Sequence, residues 1–318
     1  MAKALVIGAV GQIGSELTLA LRKKYGGNNV VAATRKSEFP PEIAASGPCE
    51  YLDVADKAKM KLSMQRHGID TIYQLAALLS ATGEKNPDLA FEINLLGLKN
   101  MLDAARESGV KRVFWPSSIA AFGPTTPREN TPQRTVLEPS TMYGVTKVSG
   151  ELLCQYYFLR YGLDIRSVRY PGLVSWKAEP GGGTTDYSVA IFYEAIRNKT
   201  YKCFVGPDTV LPMMYMPDAI RGTIELMEAP AEKISVRTSY NLAAMSFSAR
   251  ELAEEVARLV PDFSCTYEPD SRQKIADSWP KSIDDSQARR DWGWASKYDL
   301  RKMSEDMVSN LRLKLLGK

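Results

Sequence analysis

Lys3-Ala-Leu-Val-Ile-Gly8-Ala-Val-Gly11-Gln-Ile-Gly14 opens this chain, and its reading decides the fold. Ala4 to Ile7 is a short, wholly apolar run, the pattern of a parallel strand buried on both faces. Leu17 and Leu21 then recur at helical spacing until Gly26-Gly27 closes the segment. Between strand and helix stands G-x-x-G-x-x-G. Glycines there let backbone approach a pyrophosphate closely, and the following helix aims its free amides at the negative charge. Gly8, Gly11, Gln12, Ile13 and Gly14 are therefore the expected dinucleotide-binding turn.

The same alternation continues downstream. Asn29 to Thr34 reads as a second strand, followed by Arg35-Lys36. An NAD-binding unit usually ends this strand in an acidic residue that holds the ribose 2′-hydroxyl. Thr34 and Arg35 stand there instead. A basic residue could accommodate the 2′-phosphate of NADP, or Arg35 could simply face solvent, so the choice of dinucleotide stays open at this point. Asp53, after a short third strand, is placed either to meet the adenine amine or to serve as a plain turn carboxylate. The fourth strand, Ile69 to Leu75, leads into Ala76-Ala77, small residues that let a loop lie flat against a cofactor. A long helix from about Asn86 to Ser108 carries Asn94. The fifth strand delivers Pro116-Ser117-Ser118 at its carboxyl end, where open parallel sheets place their ligands. The sixth, Asp164 to Tyr170, stops at Pro171-Gly172. These elements predict an α/β protein. Residues 1–171 form a Rossmann-type doubly wound parallel sheet, and 172–318 a smaller mixed α/β substrate-binding region whose segments could interleave with the sheet.

Tyr143-Gly-Val-Thr-Lys147 follows a helix-capping Ser140 or Thr141. Four residues apart on a helix, Tyr143 and Lys147 project from one face. A phenol ordinarily ionises near pH 10, and a neighbouring ammonium favours phenolate, bringing the tyrosine into range as a proton acceptor. Val145, Val148, Leu152, Tyr156 and Leu159 read as the buried stripe of this helix. Tyr143 and Lys147 fall off it, on the side of Gly150 and Glu151, which points to function rather than packing. Further on, Pro180-Gly-Gly-Gly-Thr-Thr-Asp186 precedes a helix. It reads either as a plain linker or, since it stands just before a helix, as a nest of amides for a carboxylate with Thr184, Thr185 and Asp186 beside it.

Composition narrows the function classes. In 318 residues, 41 basic and 37 acidic side chains leave a net charge of only +4 with no block of one sign, which argues against nucleic acid. No apolar run approaches the roughly 20 residues that span a bilayer. The chain enters a strand almost at once, so no signal peptide is expected and the location is cytoplasmic, or mitochondrial if a presequence has been removed. Four scattered cysteines and a single histidine, His67, supply neither a metal site nor a Ser-His-Asp triad. No metal is expected.

Taken together, Gly8–Gly14, Leu75-Ala76-Ala77, Asn94, Ser117-Ser118 with Phe122-Gly123, Tyr143-x-x-x-Lys147 and Arg169-Tyr-Pro-Gly172 resemble the extended short-chain dehydrogenase/reductase group, which includes nucleotide-sugar epimerases and dehydratases. A narrower resemblance runs along nearly the whole chain. Trp115 to Gly123, Pro180 to Tyr187, Leu211-Pro-Met-Met-Tyr-Met-Pro-Asp218 and Ser278 to Ser286 are similar to the short-chain family of L-threonine 3-dehydrogenases. That family typically has Asp where Thr34 stands. The resemblance implies hydride transfer from L-threonine to NAD, with NADP left open by Thr34-Arg35. It implies Tyr143 as proton acceptor, Lys147 tuning it and holding the nicotinamide ribose, and Ser118 fixing the reacting oxygen. Tyr170 and Pro171 join the cofactor-binding residues, and Ser80 the substrate contacts. Thr184 and nearby amides would take the carboxylate. Asp186 would support the ammonium, directly or by ordering the loop. A homodimer is implied as well. Two alternatives remain: a nucleotide-sugar epimerase or dehydratase, and a non-catalytic dinucleotide-sensing protein.

Overall fold

Alternating buried strands and covering helices generate the central sheet. The computed structural model describes residues 2–317. The strands are β1 (Ala4–Ile7), β2 (Val30–Thr34), β3 (Cys49–Tyr51), β4 (Thr71–Gln74), β5 (Arg112–Ser118), β6 (Asp164–Tyr170), β7 (Gly172–Val174), β8 (Thr200–Cys203), β9 (Val210–Tyr215), β10 (Tyr240–Asn241), β11 (Met245–Ser248) and β12 (Ser264–Tyr267). The main sheet has the order β10-β6-β5-β4-β1-β2-β3, every pairing parallel. Every residue of β1 and β2 is buried, as expected of strands covered on both faces. The order reverses between β1 and β4, and the crevice of an open parallel sheet forms at that switch point.

Beyond β6 the chain builds a three-stranded mixed sheet, β11-β9-β7, and a parallel pair, β12-β8. They enclose a second core around Phe192, Tyr215, Phe247 and Met307. Residues after 172 do interleave with the main sheet, because β10 forms its outer strand beside β6.

The helix read as one element over 86–108 is interrupted. Helical turns run Pro87–Phe91 and Gly97–Glu107, with a π-helical turn at Glu92–Leu96 between them. Such insertions recur at functional sites. Asn94 sits on this one. Its side chain accepts from Leu78 N at 2.8 Å and donates to Leu78 O at 3.0 Å, so the bulge clamps the loop after β4.

The buried stripe expected on the helix Met142–Tyr161 is reversed. Val145, Leu152, Tyr156 and Leu159 are 42–72% exposed, whereas Thr146, Lys147, Gly150, Glu151 and Cys154 face inward. Glycine explains the reversal. A β-carbon on Gly144 would lie 2.2 Å from Ala120 O, and one on Gly150 would lie 2.4 Å from the Trp115 ring. The helix thus presses its small face onto the sheet at a distance that no apolar side chain on that face would allow. Its apolar row points away from the sheet, and the Tyr143–Lys147 line is carried in toward β5.

Candidate active site

Two cavities meet at Ala77 along the carboxyl edge of the sheet. The first, about 190 Å³, is lined by Gly8, Thr34, Arg35, Asp53, Ala76 and Ala77 among others. The second, about 160 Å³, contains Gln12, Ile13, Leu75, Ser80, Ser118, Tyr143, Lys147, Tyr170, Pro171 and the 183–186 loop.

The glycine turn fits a pyrophosphate between them. Gly8 has φ +87°, and a β-carbon there would meet Ala76 N at 2.8 Å; one on Gly14 would lie 2.0 Å from Gly8 O. Backbone segments therefore touch where a side chain would hold them apart. The helix Gln12–Tyr25 has no side-chain cap at Gly11 and no acid in its first turn, leaving its amides to an anion. Gly11 and Gly14 shape this turn without lining either cavity. Asn94 lines neither cavity: besides Leu78, it donates to Thr146 Oγ1 at 3.3 Å, so it holds the loop after β4 against the helix Met142–Tyr161. Asp53 accepts from Ala55 N at 2.9 Å, the turn role, while still facing the first cavity.

Thr141, not Ser140, caps the helix Met142–Tyr161, accepting from Gly144 N at 3.1 Å. Adjacent serines at the end of β5 point opposite ways, as strand geometry requires. Ser118 faces the second cavity and Tyr143. Ser117, though it reaches the cavity wall, donates to Glu151 Oε1 at 2.6 Å. Glu151 also receives Arg169 through Nε at 2.8 Å and Nη2 at 2.7 Å. Arg169 in turn donates to Asn241 Oδ1 at 3.0 Å. This buried network beneath the site has no counterpart in the residue roles read from the sequence. Its signal was present, since Glu151 stands four residues after Lys147 and Arg169 is a charged residue in a strand whose residues 165–170 are all buried.

The expected lowering of the Tyr143 pKa is not found. Burial pushes this phenol up to about 12, with only the Ser118 hydroxyl working downward. Burial also pushes Lys147 down, from 10.5 to about 7, against upward pulls from Cys154 and Glu151. Its Nζ donates to Pro116 O at 2.6 Å and lies 5.2 Å from the Tyr143 ring centre. Desolvation opposes each charge singly; an ammonium and a phenolate formed together would offset each other.

The Lys147 shift sets a stability expectation. Between pH 7 and 10.5 the unfolded chain holds a proton that the folded chain has released, so this group's contribution rises with pH across that window. Below it, the fold carries the full cost of a buried ammonium. Lys147→Met should therefore raise the melting temperature most at about pH 6, and the gain should shrink toward about pH 10. A gain that grows with pH in a melting series would refute the assignment.

The glycine loop corrects another expectation. Its amides are not an open nest. Gly181 N and Gly183 N donate to the chain's own Asp186 Oδ2, at 2.7 and 2.8 Å. Asp186 thus orders the loop from within. Thr185 packs beside Gly172, where a β-carbon would lie 2.9 Å from it. Thr184 is buried, faces the cavity, and its Oγ1 has no hydrogen-bond partner. Trp279 and Leu79 also close this cavity, and no role had been read for either. Trp279 lies in the Ser278–Ser286 stretch, which carried the family resemblance but has no periodicity that would place this ring at the cavity.

The pattern of the NAD dependent epimerase/dehydratase family matches residues 4–243, and the chain belongs to that family. It is an oxidoreductase of the short-chain type within it. The chain is similar to the mitochondrial L-threonine 3-dehydrogenase of Bos taurus, 48% identical over 309 residues, covering 96% of this chain and 82% of that one. It is also similar to the solved L-threonine dehydrogenase of Cupriavidus necator in its holo form. That match is 54% identical with TM-score 0.95, covering 97% and 99% of the two chains. A monomeric L-threonine 3-dehydrogenase from a metagenome is 50% identical with TM-score 0.93, covering 97% and 98%. Among the described residues no helix is long and apolar enough to cross a membrane.

Proposed function

We propose that the second cavity oxidises the β-hydroxyl of L-threonine to 2-amino-3-oxobutanoate, a bound nicotinamide dinucleotide accepting the hydride. Tyr143, as phenolate, takes the hydroxyl proton. The Lys147 ammonium stabilises that anion, and Ser118 hydrogen-bonds the reacting oxygen and fixes its position. The observation that carries the substrate class is the lining of the cavity. Lys147 is its one cation among the described residues, and the loop across it offers a buried hydroxyl without a partner. A sugar nucleotide would bring a diphosphate with no arginine to meet it. A small zwitterion needs only neutral donors for its carboxylate, which Thr184 and Ser80 supply.

The test is absorbance of reduced cofactor with L-threonine, L-serine, D-threonine and L-allo-threonine in parallel. L-Threonine should be turned over well above the other three. Equal rates, or none with L-threonine, would sink the reading. Thr184→Val sharpens it. An unpaired buried hydroxyl is costly to keep, so the variant should be no less stable, yet its KM for L-threonine should rise about tenfold. An unchanged KM would remove Thr184 from the substrate site.

We further propose a homodimer that buries the exposed row Val145, Leu152, Tyr156 and Leu159, since contiguous apolar surface of this kind marks association sites. Sedimentation of the purified protein should give twice the chain mass; a monomer there would leave the row without a partner.

A further inference from the structure

Arg35 extends from the end of β2 over the first cavity, exposed and without an ion-pair partner among the described residues. Thr34, buried at the strand end, occupies the place from which a carboxylate would hold a ribose 2′-hydroxyl. Two effects follow from this pair. A carboxylate at that point would repel a phosphate, and threonine removes the charge while keeping a hydroxyl donor. Guanidinium then offers a planar fork that matches phosphate geometry, which a lysine would not. The carboxylate that does line the cavity, Asp53, is engaged by the Ala55 amide at 2.9 Å. The next acid after Arg35 in the chain, Glu38, is exposed and makes no ion pair with Arg35 or Lys36 among the described residues.

We propose that this end of the cleft is a 2′-phosphate site, so that the protein binds NADP(H) more tightly than NAD(H). The proposal rests on the dinucleotide reading of the glycine turn and is independent of which alcohol the second cavity oxidises. Thr34 donates to a phosphate oxygen, and Arg35 pairs with the phosphate dianion.

Calorimetric titration of the purified protein with 2′,5′-ADP and with 5′-AMP tests it without turnover. The 2′-phosphorylated fragment should bind about tenfold tighter, by an advantage that falls as salt is raised. Arg35→Ala should abolish the difference while changing 5′-AMP affinity by no more than about twofold. The double variant Thr34→Asp, Arg35→Ile should reverse the preference, and NADH and NADPH titrations should follow the fragments. If 5′-AMP binds and 2′,5′-ADP binds no tighter, the phosphate site is overturned and the dinucleotide cleft stands. If neither fragment nor either reduced dinucleotide binds, the cleft itself has been misread and the proposal falls with it.

Discussion

Tyr143→Phe is expected to lower kcat for L-threonine oxidation by about 10²–10⁴-fold while leaving dinucleotide affinity within about twofold. The phenyl ring keeps the packing of the first turn and its distance from Lys147, so the variant removes one oxygen. That oxygen lies in the second cavity beside Ser118, and in the proposed reaction it accepts the alcohol's proton. Its upward shift, to about 12 through burial, implies that the phenolate forms only with an ammonium held nearby. Activity should therefore rise with pH as the pair loses one proton between them. Single-turnover measurements would separate chemistry from product release. Turnover near that of the unaltered protein would dismiss Tyr143 as the base.

Glu151→Ala is expected to cost about 3–5 kcal/mol of stability, the penalty for a buried charge pair that loses one member. Arg169 and Glu151 are 3% and 1% exposed at their side chains, and no water-facing geometry is available to the arginine left behind. The Ser117 hydroxyl would lose its acceptor too. For a chain of this size the melting temperature should fall by on the order of 5 °C or more. Glu268→Ala provides the contrast. Its pairing with Lys202 is held between side chains 68–69% exposed and should leave the melting temperature essentially unmoved. Replacing both Glu151 and Arg169 with leucine and methionine should recover much of the loss, because apolar filling removes the unpaired charge. A Glu151→Ala protein that melts with the parent would show that water reaches the pair.

Strands, glycine turn and the Tyr143–Lys147 helical pair were legible because each rests on a local rule. Buried parallel strands need short apolar runs, a pyrophosphate turn needs glycines at fixed offsets, and a tyrosine–lysine pair needs helical spacing. The helix Met142–Tyr161 shows where such rules stop. Its periodicity was real, but periodicity reports that an apolar face exists and does not say which surface covers it. Gly144 and Gly150 decided the matter by allowing contact too close for larger side chains. The glycine loop failed for a related reason. Three glycines and an aspartate advertise an anion site, yet whether the anion comes from outside or from Asp186 depends on a fold-back of a few residues.

By itself the sequence determined the sheet, its glycine turn and the grouping of Ser118, Tyr143 and Lys147 at the carboxyl end of β5. These depend on backbone geometry and spacing within single elements. Only the tertiary structure decided which helix face is buried, that Glu151 and Arg169 form a charge pair under the site, and that Thr184 is left unpaired beside Trp279. Each of those depends on distances between segments far apart in the chain. No local pattern encodes those distances, since packing sets them only once the whole core is assembled.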